Sequence, residues 1–94
     1  MIAYISIGNS DDKLTQKEWA QFEIAILTRI KPLARWAHGE WFSTPFAAWQ
    51  NACWCLEFPD DPVVLTEVRE VLAEIRDEFR QESIAFAVAQ TEFI

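Results

Sequence analysis

One histidine and two cysteines carry most of the reactive chemistry this chain could offer. His38 stands two positions from Glu40 in ARWAHGEWFS, residues 34–43. Strict strand alternation there would set His38 on one side with Trp36, Glu40 and Phe42, an imidazole next to a carboxylate and an aromatic wall. That pair is the minimum for general-base work, with His38 as base and Glu40 as its orienter. A lone histidine beside aromatic rings is more often a packed or surface residue, so a small enzyme stands as the alternative reading.

Cys53 and Cys55 flank Trp54, which puts both thiols on one strand face at about 6.6 Å between Cα atoms, near the far limit for a disulfide. Reduced thiols are expected. Thiolate chemistry with His38 as activating base would require the strands that carry them to pair. Two cysteines and one histidine fall short of the four ligands of a closed zinc site. IGNSDDK lacks the glycine and lysine spacing of a phosphate loop, so neither a metal nor a cofactor is expected. Asn9, Ser10, Asp11 and Asp12 in that turn would hold a hard cation or a hydroxyl-bearing ligand, although a polar turn leading into a helix explains them fully.

Binding chemistry is better supplied. HGEWFSTPFAAWQNACWC, residues 38–55, contains three of the five tryptophans. Trp41, Trp49, Gln50 and Asn51, with Arg35 and His38 on the same hairpin, have the composition of a recognition surface. Indole rings supply area at low entropic cost, amides read polar edges, and Arg35 would clamp an anion or stack on a ring. The competing reading makes Trp41, Trp49 and Phe46 a small satellite core under the loop.

The elements that would position these residues read as strand, helix, strand, strand, helix, strand. IAYISIG alternates and ends at Gly8. Thr15 and Glu18 form a capping box, and Leu14 and Trp19 occupy the positions of a hydrophobic staple. Trp19, Phe22, Ile26 and Ile30 then recur at helical spacing until Pro32. Residues 34–43 and 50–58 predict two strands joined by TPFAAW, an antiparallel hairpin. Asp61 caps and Pro62 opens a second helix with Leu65, Val68, Leu72, Ile75 and Phe79 on its inner face. A last strand lies within SIAFAVAQTEFI.

This order matches a ferredoxin-like split βαβ arrangement (βαββαβ), an α+β fold with a four-stranded antiparallel sheet and two helices on one face. Ile5, Ile7, Trp54, Leu56, Ile84, Phe86 and Val88 would face the helices, leaving Tyr4, Ser6, Cys53, Cys55, Ala85, Ala87 and Ala89 on the other side. A face so small and weakly polar suits packing against a second copy, and a homodimer is expected by analogy with other domains of this fold.

Composition narrows the classes further. With 94 residues, 51% hydrophobic and 24% charged, the chain fits one folded domain spanning residues 1–94. Its formal charge of −7, without a basic cluster, argues against direct nucleic-acid binding. An acidic inhibitor meeting a basic partner through the helix face from Glu67 to Glu82 is a further alternative. No apolar run approaches the ~20 residues of a membrane span and MIAYISIGNSDD lacks signal-peptide features, so a cytoplasmic protein without a membrane partner is expected.

YISIGNSDDKLTQKEW, HGEWFSTPFAAWQNACW and SIAFAVAQTEFI together resemble small proteins of actinobacteria and their phages, a group to which no activity is attached. The resemblance covers most of the chain. It implies action by stoichiometric binding, as an inhibitor of a host defence protein or a sponge for a nucleotide signal. The expectation is therefore a non-enzymatic binding module for a planar or nucleotide-like ligand or a protein partner.

Overall fold

The computed structural model describes residues 1–44 and 46–94; Pro45, in the predicted hairpin loop, lies outside the described residues. The described chain runs β1 (Ile2–Gly8), α1 (Gln16–Arg29), a 3-10 turn (Lys31–Leu33), β2 (Trp36–Phe42), β3 (Asn51–Glu57), α2 (Pro62–Glu78) and β4 (Ala85–Ala89). All strand pairs are antiparallel and their order is β2-β3-β1-β4, the ferredoxin-like arrangement expected from the order of elements.

The helices start where the sequence dictates. Thr15 accepts from the Glu18 backbone N–H while Glu18 reaches back to the Thr15 N–H, so two orphan donors of the first turn are satisfied reciprocally. Leu14 and Trp19, the staple positions, are both buried in the core. Asp61 accepts from the Val63 N–H, with Pro62 in the first turn of α2. Phe22 of α1 stacks on Phe79 at the C-terminal cap of α2, with ring centroids 4.9 Å apart, and Trp19 meets Phe22 edge-on. These rings close over Ala3, Ile5, Ile7, Ala52, Trp54 and Leu56 on the inner side of β1 and β3. Burying each Ile, Leu or Phe here stabilises the fold by about 1.5–3 kcal/mol. Ile84 and Phe86 pack against this core as expected, while Val88 stays half-exposed at the edge.

The turn between β1 and α1 is held by one buried amide. Asn9 donates through Nδ2 to the Leu14 carbonyl at 3.0 Å and to Gln50 Oε1 at 3.0 Å, and its Oδ1 accepts from the Leu14 N–H at 3.1 Å. Gln50 Nε2 continues the chain of bonds to Gln16 Oε1 at 2.7 Å. The polar turn is thus a structural clasp joining β1, the start of α1 and the start of β3.

The strand pairing departs from simple alternation at one place. The register between β2 and β3 shifts between Ala37 and Gly39, so His38 is a bulge residue with no partner of its own. Trp36 then pairs with Glu57, Gly39 with Cys55, and Trp41 with Cys53, while Glu40 pairs with Trp54 on the helix side. This overturns the expected grouping of His38 with Glu40 and Phe42. Glu40 turns toward the helix layer and pairs with Lys31 at 3.2 Å, and His38 instead meets Glu57, Nε2 to Oε1, at 3.0 Å. Among the described residues no helix is long and apolar enough to cross a membrane.

Candidate functional site

The bulge builds the helix-free side of the sheet in three rows, each running β2-β3-β1-β4. They are Trp36, Glu57, Ile2, Ala89; then Gly39, Cys55, Tyr4, Ala87; then Trp41, Cys53, Ser6, Ala85. Tyr4 and Trp41 belong to different rows and to strands separated by β3, yet their rings stack at 6.3 Å with 28° between planes. The small residue at 39 leaves room for this: even a Cβ built on Gly39 would lie 3.6 Å from the Trp41 ring, an ordinary contact, so the indole leans into the middle row. Cys55 beneath is buried in consequence, as is Ile2, and both lie outside the main core cluster.

The helix-free side therefore carries an apolar layer of its own. Trp36 is 59% and Trp41 53% exposed, and the alanines of β4 extend the layer as a flat stripe. In these three rows the only carboxylate is Glu57, already bonded to His38. The sequence expectation of a small, weakly polar face of alanine and cysteine omitted both tryptophans. Cys53 and Cys55 are free thiols sharing this side, as expected. The phenol of Tyr4 is pushed above its usual 10.0, chiefly by the neighbouring Cys55 side chain.

A second concave surface lies at the hairpin tip, a cleft of about 450 Å³ between the loop after β2 and the first turns of α1. Trp19, Phe42 and Trp49 line it, together with Glu23 and Asp12. Burial raises the carboxyl of Glu23 above its usual 4.5, with the Trp19 indole as the smaller, opposing influence.

The six residues expected to form one binding surface are thus divided. Trp41 and His38 lie on the helix-free side, with Tyr4, Trp36 and Glu57, which the sequence reading did not assign to a site. Trp49 and Gln50 line the tip cleft, but both ends of the Gln50 amide are engaged by Asn9 and Gln16. Asn51 pairs through its backbone with Ser43, and its side chain is exposed. Arg35 is exposed at the opposite end of the hairpin, its N–H bonded to the Glu57 carbonyl. Phe46 is 96% exposed, so the satellite core of Trp41, Trp49 and Phe46 does not form. One sequence signal pointed to the rearrangement: a glycine inside a strand marks a bulge or a close approach, and Gly39 lies next to the bulge at His38 and against the Trp41 ring.

Chemically, the His38–Glu57 pair is an oriented imidazole on a flat, half-exposed surface, with little to exclude water from a reacting group. Among the described residues no group of three or more His, Cys, Asp or Glu side chains is placed to hold a metal ion. The geometry offers surfaces for association. Comparison with protein-family models, with curated proteins and with solved structures finds no match to the chain.

Proposed function

We propose that the protein is a non-enzymatic binding module whose working surface is the helix-free side of the sheet, and that its first partner is a second copy of itself. The observation that carries this reading is the Tyr4–Trp41 stack over Gly39 and Cys55, which leaves a layered, half-exposed aromatic surface beside the alanine stripe. Aromatic anchors over a small-residue platform supply the large, rigid contact area from which interfaces draw most of their affinity.

Charge supports the same surface. A chain with net charge −7 repels its copies at long range, yet the three rows hold only Glu57, bonded to His38. Two copies meeting here turn their acidic helices away from each other. A module of this kind acts by occupancy rather than turnover, in keeping with the stoichiometric inhibitor that the resemblance to phage proteins implies.

Light scattering coupled to size exclusion tests it. The expected outcome is a dimer for the wild type and a monomer of unchanged circular dichroism for Ala87→Arg, which sets a charge at the exposed β4 end of the middle row. A wild-type monomer at high micromolar concentration sinks self-pairing.

A further inference from the structure

We propose that the cleft at the hairpin tip is a binding site for an organic cation, an ammonium or guanidinium group carried by a small amine or by a basic side chain of a partner protein. The inference is separate from pairing through the helix-free side, since the two surfaces share no residue assigned to either.

Three independent features converge on a cation. The first is shape with aromatic walls: Trp49 is 59% and Phe42 50% exposed, and both line a concavity of about 450 Å³ with the buried Trp19. Indole and phenyl faces carry the negative end of a ring quadrupole and attract positive groups that lie over them. An aliphatic wall would give the same burial without that preference.

The second is charge. Glu23 and Asp12 line the cleft and no lysine or arginine does. Neither carboxylate joins an ion pair among the described residues, whereas Asp11, Glu18, Glu40, Glu74 and Glu78 all do. A nucleotide would bring its phosphates against these two carboxylates without a basic group to neutralise them. The nucleotide-like ligand suggested by the sequence therefore does not suit this cleft.

The third is what remains unoccupied among the polar groups. Asn9, Gln16 and Gln50 also line the cleft, but the Asn9 amide already donates to Leu14 and Gln50, and the Gln50 amide donates to Gln16 Oε1, so two of these three amide donors are engaged within the protein. The carboxylate of Glu23 is partly buried, and burial disfavours its ionised form. A cation seated between Glu23 and the Trp49 ring would offset that cost, being desolvated on one side by carboxylate and on the other by indole.

The test is a titration of the full chain followed by nuclear magnetic resonance of the tryptophan indole N–H signals, assigned by single Trp→Phe variants. Four probes are used: choline, N-acetyl-arginine amide, the neutral tert-butyl isostere of choline, and adenosine monophosphate. Saturable shifts of the Trp49 signal, and of Trp19 in the same cleft, are expected with choline or the arginine amide, weakened about tenfold or more by Glu23→Gln, read at Trp49, and by Trp49→Leu, read at Trp19. Choline as the tighter ligand identifies a small amine as the source, and the arginine amide as the tighter ligand identifies a partner's side chain. The tert-butyl isostere binding as tightly as choline overturns the proposal, as does a Trp49 shift with adenosine monophosphate alone or with none of the four. Amide dispersion in the same spectra establishes that each variant is folded, and the oligomeric state, read separately, reports on the helix-free side.

Discussion

Trp36 and Trp41 emerge on the same side of the sheet although five positions separate them, because the bulge at His38 absorbs one step of the alternation. Without it one of the two rings would turn into the helix layer, where Trp54 and Phe42 already meet edge-on at 5.9 Å. A one-residue irregularity on an edge strand thus decides whether the helix-free side has aromatic anchors.

The role of Gly39 follows directly. Gly39→Ala places a Cβ at ordinary van der Waals distance from the Trp41 ring and should leave the stack intact, whereas the extra methyls of Gly39→Val push the indole aside. In a Cys53→Ser background the Val variant should expose Cys55, seen as faster reaction with a thiol reagent, and the Ala variant should react like its parent. Equal rates for all three would show that the Trp41 ring does not cover the thiol.

Asn9 is expected to be the most sensitive polar position. Asn9→Ala leaves the Leu14 N–H and carbonyl without their buried partner and should lower stability by about 2–4 kcal/mol, read from urea midpoints. Gln50→Ala removes a partly buried link in the same chain and should cost only about 1 kcal/mol. A near-neutral Asn9→Ala would mean that the turn is held by its backbone alone.

What the sequence made legible follows from how local each signal is. The capping box at Thr15 and Glu18, the Leu14–Trp19 staple and the Asp61–Pro62 start are short-range devices, written within a few residues and recovered as read. The hairpin followed from its short connection, the sheet arrangement from the order of elements, and the buried rows from alternation in β1 and β3, which are regular. The site was less legible because alternation was applied across His38, where one inserted residue reverses every side chain that follows. Pairing Glu40 with His38 was the direct result, and the partner found, Glu57, lies 19 residues away on another strand. The tryptophans of the hairpin divided between two surfaces for a different reason, since spacing along the chain does not report which end of the sheet a loop folds over.

Tyr4 is the only tyrosine, so its ionisation can be followed by ultraviolet absorbance without overlap from another phenol. Its folded pKa is raised above 10.0 by the Cys55 side chain, so the folded state holds this proton more tightly than the unfolded chain. The resulting stability is complete below the unfolded value near 10.0 and is lost as pH rises through the folded one. Cys55→Ala should move the titration back toward 10.0. An unchanged midpoint would exclude the thiol as the cause.

Two carboxylates of α1 should respond to acid in opposite senses. Glu18 is held below its usual 4.5, first by the backbone N–H of Thr15 and also by the charge of Arg80, so its contribution is present above 4.5 and is lost as pH falls through its lower folded value. Glu23 is raised by burial, so the folded state binds its proton more tightly. The cost of carrying it ionised is absent below 4.5 and complete once pH exceeds its higher folded value. At neutral pH, Glu18→Gln, which keeps the side-chain acceptor of the capping box, should therefore destabilise the protein, while Glu23→Gln should stabilise it. Both differences should shrink toward zero in acid, where the native carboxyls are themselves neutral. Urea midpoints for the three proteins at neutral pH and well below 4.5 measure this, and a shift of the same sign for both variants at neutral pH would refute the assignment. A stabilising Glu23→Gln that also weakens binding of a cation at the hairpin tip would give the reason for keeping a carboxylate where burial disfavours it: the site trades folding stability for a charge that its ligand neutralises.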